Sequence, residues 1–250
     1  MSDPRGKELQ ELREQALALR ERMGLDTMAP VDPFLMQHLE REKLTLVRYP
    51  LGSAISGMCI KGSGGVVIAV NSTMSLGRQN FSLAHEFYHM YYDDSSAQTV
   101  CPAAIGTGSP VERRADQFAS YFLMPPDALS AAIARLPTGH VDTVADVVAL
   151  EQLFRVSRLA MLFRLTRDGK VSPEQAAQMR AHVITGARAL GYDTSLYEAL
   201  PDECQREARG YYFVQLDRLH KKDLISEGRY QELLHDVFRS GAPQEADDVD

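Results

Sequence analysis

The chain has 250 residues, enough for one large domain or for a catalytic domain with a smaller helical appendage. Its apolar share is ordinary for a globular protein, and its net charge of −7 is uneven: residues 244–250 hold four acids and no base. That balance excludes a surface that holds nucleic acid non-specifically and leaves room only for a local basic patch.

No apolar core of a secretory signal follows Met1, and no apolar run approaches the roughly 20 residues that span a bilayer. The three cysteines (Cys59, Cys101, Cys204) are odd in number and widely spread, which does not suit a disulfide framework. A reducing, cytoplasmic setting without membrane contact is the expectation.

Along the chain, Leu9, Leu12, Ala16, Leu19 and Met23 recur at helical spacing, predicting a first helix over 7–24 closed by Gly24. A short helix is expected over 33–42. Three strands follow at 44–49, 55–61 and 66–71, the last two joined by a glycine-rich hairpin turn over 62–65. The strand at 66–71 reads either as an edge that receives an extended peptide or as an ordinary core strand. Next comes a long helix to Tyr92, then a Ser-, Gly- and Thr-rich loop to Pro110, then a helix from about Val111 to Met124 stopped by Pro125. Beyond this the pattern is helical throughout: 142–155, 157–167, 173–190, 203–222 and 226–238. The fold class expected is α+β, a small antiparallel sheet packed on the long helix with a helical C-terminal part. The expected division is a first domain over 1–130, a helical unit over 131–190, C-terminal helices over 191–240 and a disordered acidic tail over 241–250.

Within the long helix, His85, Glu86 and His89 form H-E-x-x-H. Residues four apart share a helix face, so the two imidazoles can reach one ion, while Glu86 can meet a water bound to that ion as general base. A catalytic zinc needs a third protein ligand and an open fourth position. Glu112 and Asp116 lie four apart on the following helix and suit a ligand and a carboxylate that fixes the ring of His85. Glu112 is also three residues after Ser109, the spacing of a capping box with Pro110 at the first helical position. The upstream motif and Asp116 favour the ligand.

These residues carry a family resemblance. RQNFSLAHEFYH, ending at His89, and ERRADQFASYFLMP, starting at Glu112, closely resemble the ImmA/IrrE metallopeptidases. The order of motifs is also similar to that of gluzincins, in which a glutamate on a later helix completes the site. The resemblance implies zinc held by His85, His89 and Glu112, with Glu86 as base. It implies a protein substrate, a helix-turn-helix repressor cleaved under stress or induction. A non-catalytic metal-stabilised regulator that binds a repressor or nucleic acid, and a protease toxin, are the alternatives. An intact Glu86 favours the enzyme.

Residues 144–167 resemble a helix-turn-helix unit, and Arg155, Arg158, Arg164 and Arg167 form either a nucleic-acid-facing surface or a set of solvated charges on a packing module. Tyr88, Tyr91, Tyr92 and His140 are open candidates for stabilising an oxyanion. Cys101, 12 residues past His89 and 11 before Glu112, lies in a loop whose two ends meet at the metal. It reads either as a fourth zinc ligand in a resting state or as a free thiol.

Overall fold

The computed structural model describes residues 4–31 and 41–238. The expected helix over 33–42 and the acidic tail lie outside the described residues, apart from Arg41 and Glu42. Helix α1 (Pro4–Arg22) precedes strands β1 (Leu44–Tyr49), β2 (Ile55–Gly62) and β3 (Gly65–Asn71). Helix α2 (Leu76–Tyr92), strand β4 (Gln98–Pro102) and helices α3 (Pro110–Leu123) and α4 (Pro126–Ala134) follow. The remainder comprises α5 (Val144–Phe154), α6 (Arg158–Arg167), α7 (Pro173–Gln178), α8 (Val183–Ala189), strand β5 (Glu207–Gly210), α9 (Tyr211–Lys221) and α10 (Glu227–Phe238). None of the described helices is long and apolar enough to cross a membrane.

The fold is α+β, with a five-stranded sheet of order β4-β2-β3-β1-β5. The sheet is mixed rather than antiparallel throughout, because β1 runs parallel to β3 with Leu44 opposite Val66 and Tyr49 opposite Asn71. Sequence periodicity reports the faces of a strand and not its partner, so a parallel pairing made through an intervening hairpin leaves no local mark. The hairpin itself forms as expected, β2 antiparallel to β3. Strand β3 is central, which removes it as a peptide-receiving edge. The edge on the β2 side is β4, a strand inside the stretch read as loop; it pairs with β2 only and leaves Val100 59% exposed.

The other edge is closed late in the chain. β5 pairs antiparallel with β1, and Arg48 meets Glu207 across the pair at 2.7 Å. The helix expected over 203–222 is therefore cut: Gly210, at φ +81°, turns the chain from strand into α9. The helix expected over 173–190 is also divided. The Met179 carbonyl accepts a hydrogen bond from Arg158 at 2.7 Å, and His182 adopts a left-handed conformation before α8.

Helix α2 packs on β2 and β3 on one side and on α3 on the other. Phe81, Leu83, Ala84, Phe87 and Tyr88 are buried, and Phe87 meets Phe122 of α3 edge to face. Each such large apolar side chain contributes about 1.5–3 kcal/mol by leaving water. The start of α2 is pressed against the α5–α6 turn. A β-carbon on Gly77 would lie 2.6 Å from the Ser157 nitrogen, and Asn80 donates to the Arg155 carbonyl at 2.8 Å.

That docking corrects the reading of 144–167 as a basic surface at two positions. Arg158 is 3% exposed and pairs with Glu151, whose other oxygen accepts from Tyr197 at 2.8 Å. Arg164 is fully buried and donates to the carbonyls of Ser120 and Met124 at 2.8 and 2.6 Å, tying α6 to the end of α3. Both guanidinium groups are used inside the protein, because a fork of five donors can satisfy several buried acceptors at once. Arg155 and Arg167 are exposed; Arg167 stacks on Phe163 and bonds to Gln117 at 3.1 Å.

Candidate metal centre

His85 and His89 project from one face of α2, as their spacing requires, with their Nε2 atoms 3.2 Å apart. Glu112 reaches them from the first turn of α3: its Oε2 is 3.2 Å from His85 Nε2 and its Oε1 is 3.4 Å from His89 Nε2. The Ser109 cap and the approach of Glu112 to the histidines coexist. Ser109 Oγ accepts from the Glu112 amide at 3.2 Å, so the cap is made, while the Glu112 carboxylate turns toward the histidines. Gly108, at φ +86°, lets the chain turn tightly here, with a β-carbon position only 3.3 Å from Glu112 Cβ and Cγ.

The donor set fits a tetrahedrally held cation. Bonds of about 2.0–2.1 Å in a tetrahedron place donors about 3.3 Å apart, close to the 3.2 Å between the two Nε2 atoms and to the approach of one Glu112 oxygen to each ring. Both rings are oriented from behind: His85 Nδ1 is 2.8 Å from Asp116 Oδ1, and His89 Nδ1 is 2.8 Å from Asp93 Oδ2. An ionised carboxylate only accepts, so each Nδ1 carries the proton, and in the neutral rings each Nε2 presents a bare lone pair to the centre. Asp116 is itself held by the Gly106 amide at 2.5 Å, and Asp93 by the Ser95 amide at 3.0 Å. Asp93 escaped the sequence reading although it sits four residues after His89. Its position at the end of α2 was read only as the start of a loop.

Glu86, on the same helix, is fully buried, and neither of its carboxylate oxygens forms a hydrogen bond of normal geometry. Its place is cut out of the sheet by Gly57, where a β-carbon would stand 2.7 Å from Glu86 Oε1 and 2.9 Å from the Ala69 carbonyl. Gly57 was not singled out from the sequence, because a lone glycine in a strand gives no sign of what lies above it. Cys101, expected on a loop, is in β4 opposite Gly57 and fully buried. His85, His89, Cys101 and Glu112 each offer a donor atom, all within 4.8 Å of one another.

The electrostatics match this geometry. With protein charges alone, burial disfavours the charged form of His85, but hydrogen bonds to Asp116 and Glu112 outweigh it and lift its pKa to about 10. Burial opposes the charge on Glu112, yet His85 and His89 hold its pKa down to about 2. Glu86 is pushed up by burial, against the attraction of His85. Cys101 is pushed up by burial and by the charge of Glu86. A pocket that draws a proton onto a buried histidine is one whose net field favours a cation.

Of the open oxyanion candidates, two are engaged elsewhere. Tyr88 Oη accepts from Arg114 at 2.8 Å, and Tyr92 Oη donates to the Gln15 carbonyl at 2.9 Å. His140 lines a separate cavity of about 360 Å³ with Ser130, Ile133 and Lys170.

An H-E-x-x-H helix packed on a mixed sheet, with a glutamate from the next helix reaching both imidazoles, has the make-up of a metallopeptidase. Residues 39–166, just over half of the chain, match the family model Peptidase_M78, the IrrE N-terminal-like domain, and the chain belongs to that peptidase family. No protein of curated function matches the chain.

Proposed function

We propose that this protein is a zinc-dependent endopeptidase in which His85, His89 and Glu112 hold the ion and Glu86 is the general base. The observation that carries this reading is the pair of Nε2 atoms 3.2 Å apart, with one Glu112 oxygen 3.2 Å from His85 and the other 3.4 Å from His89, beside the fully buried Glu86 carboxylate. Zinc supplies polarisation of the scissile carbonyl and brings the pKa of its water toward about 7. Glu86 takes the proton from the attacking water and returns it to the leaving nitrogen, with no covalent intermediate. Asp116 and Asp93 keep the imidazoles oriented and their Nδ1 atoms protonated.

The substrate we infer is a helix-turn-helix repressor in the same cytoplasm, cleaved on stress or induction. The reading extends the family resemblance, and in it an extended segment of the repressor would pair with the free edge of β4. Main-chain pairing there holds a peptide in register without demanding particular side chains.

Co-expression with a candidate helix-turn-helix repressor, wild type against Glu86→Gln, tests the reading on a gel. Cleavage should be lost at least about 10²-fold in Glu86→Gln while zinc is retained, since Gln cannot accept the proton. Zinc content should fall sharply in Glu112→Ala. Normal cleavage by Glu86→Gln removes Glu86 as the base, and full zinc in Glu112→Ala removes Glu112 from the ligands.

A further inference from the structure

We propose that β4 receives its substrate at a single backbone position, Val100, and that the substrate residue paired there carries an aliphatic side chain. This rests on the reading of the centre as a peptidase and adds to it the feature that selects the peptide. The direction of the backbone groups comes first. The Lys61 amide donates to the Ala97 carbonyl at 2.8 Å, and the Ala103 amide donates to the Ala54 carbonyl at 2.9 Å. Both ends of β4 thus turn their odd-numbered residues toward the β2 side. Bonding positions alternate along an antiparallel pair, so the backbone groups of Gln98, Val100 and Pro102 turn outward.

Two of these three positions are closed. Ser96 Oγ accepts from the Gln98 amide at 3.1 Å and donates to the Gln98 carbonyl at 2.5 Å. Pro102 has no N–H, and its carbonyl accepts from Ser56 Oγ at 3.0 Å. Val100 alone keeps an outward N–H and carbonyl without a partner among the described residues. An edge blunted on both sides resists pairing along its length with another sheet. One open residue still offers a donor and an acceptor to a short peptide, and offers them in one register.

The side chains then set a preference. Val100 lies opposite Met58, Met58 opposite Ala69, Ala69 opposite Val47 and Val47 opposite Ala208. Cross-strand neighbours share a face, so these five form an apolar row on the side of the sheet away from Gly57 and Glu86. Ala69 and Ala208 are buried, whereas Val100 is 59% exposed, so the row ends open at the edge. A substrate residue paired with Val100 extends the row by one strand, its β-carbon about 5 Å from that of Val100. Its two neighbours turn to the opposite face, that of Cys101, whose donor atom lies within 4.8 Å of those of His85, His89 and Glu112. The bond presented to the centre therefore lies within about two residues of the aliphatic one.

The test uses the full zinc-loaded chain and, as probe, a mixture of short unstructured peptides of diverse sequence, with every cut site read by mass spectrometry. The wild-type protein should enrich Val, Ile and Leu at one fixed position near the cut. Val100→Lys should turn that position toward acidic residues, and kcat/KM for peptides aliphatic there should fall about two- to fivefold, the size of one cross-strand contact. Val100→Pro removes the N–H and should raise KM for all peptides about two- to tenfold, with zinc content and kcat kept. Val100 is 59% exposed, so both substitutions leave the core untouched. Val67→Lys, on the same face but two strands in, should keep the wild-type preference. A wild-type profile with no aliphatic position overturns the proposal and leaves the peptidase reading standing. So does an aliphatic preference that is unchanged in Val100→Lys. Zinc-loaded wild type that cuts no peptide overturns both.

Discussion

Gly57 and Glu86 face each other across the junction of sheet and catalytic helix with no room for a methyl group between them: a β-carbon on Gly57 would stand 2.7 Å from Glu86 Oε1. The same β-carbon would stand 2.9 Å from the Ala69 carbonyl, a backbone atom that cannot swing aside as a side chain can. Gly57→Ala should therefore push the carboxylate off its position. Overpacking of this kind costs about 1–3 kcal/mol, which in a chain of this size lowers the melting temperature by several degrees. Zinc content should stay at the wild-type level while repressor cleavage falls. Wild-type cleavage and melting temperature together in Gly57→Ala would show that the glycine is incidental.

The two aspartates behind the histidines should behave alike. Asp116→Asn and Asp93→Asn each keep a side chain of the same shape but replace a pure acceptor with an amide that can present the wrong edge to the ring. Each should weaken zinc binding or turnover by about 10–100-fold without unfolding the protein. A chelator competition titration reads this. Unchanged affinity and turnover in Asp93→Asn would confine Asp93 to a turn with Ser95.

Removing Arg158 should be costly for folding and leave nucleic-acid binding out of the picture. Its loss strands Glu151 as an uncompensated buried charge, at about 3–5 kcal/mol. Chemical denaturation of Arg158→Ala should show that deficit, and Arg158→Ala with Glu151→Gln should recover part of it. A fully stable Arg158→Ala protein would mean that the pair contributes nothing at this position.

What could be read from the sequence divides along physical lines. His85, Glu86 and His89 were legible because one helix sets their spacing, and Glu112 with Asp116 for the same reason. The meeting of the two helices followed from chemistry, since a metal needs a third donor. The parallel pairing of β1 with β3, the central place of β3 and the late arrival of β5 were not legible, because pairing partners far apart in the chain leave no periodicity. Strand β4 was hidden by its short length and its Ser- and Gly-rich flanks. Arg158 and Arg164 misled for a different reason: composition counts a charge without showing whether a carboxylate or a row of carbonyls waits for it inside.

Strand β5 gives the chain a length requirement that its family segment does not reveal. The matched residues end at 166, yet the backbone groups along the outer side of β1 find their partners only at 207–210. A shortened chain ending after Lys170 would keep every residue of the metal centre and still bare that side of β1, a row of unsatisfied amides and carbonyls next to Leu44 and Leu46. Such a margin templates pairing with a second molecule. The trimmed protein should self-associate in sedimentation experiments, whereas one ending after Lys221 should remain dispersed. A monodisperse chain ending at Lys170 would show that β1 tolerates being an outer strand.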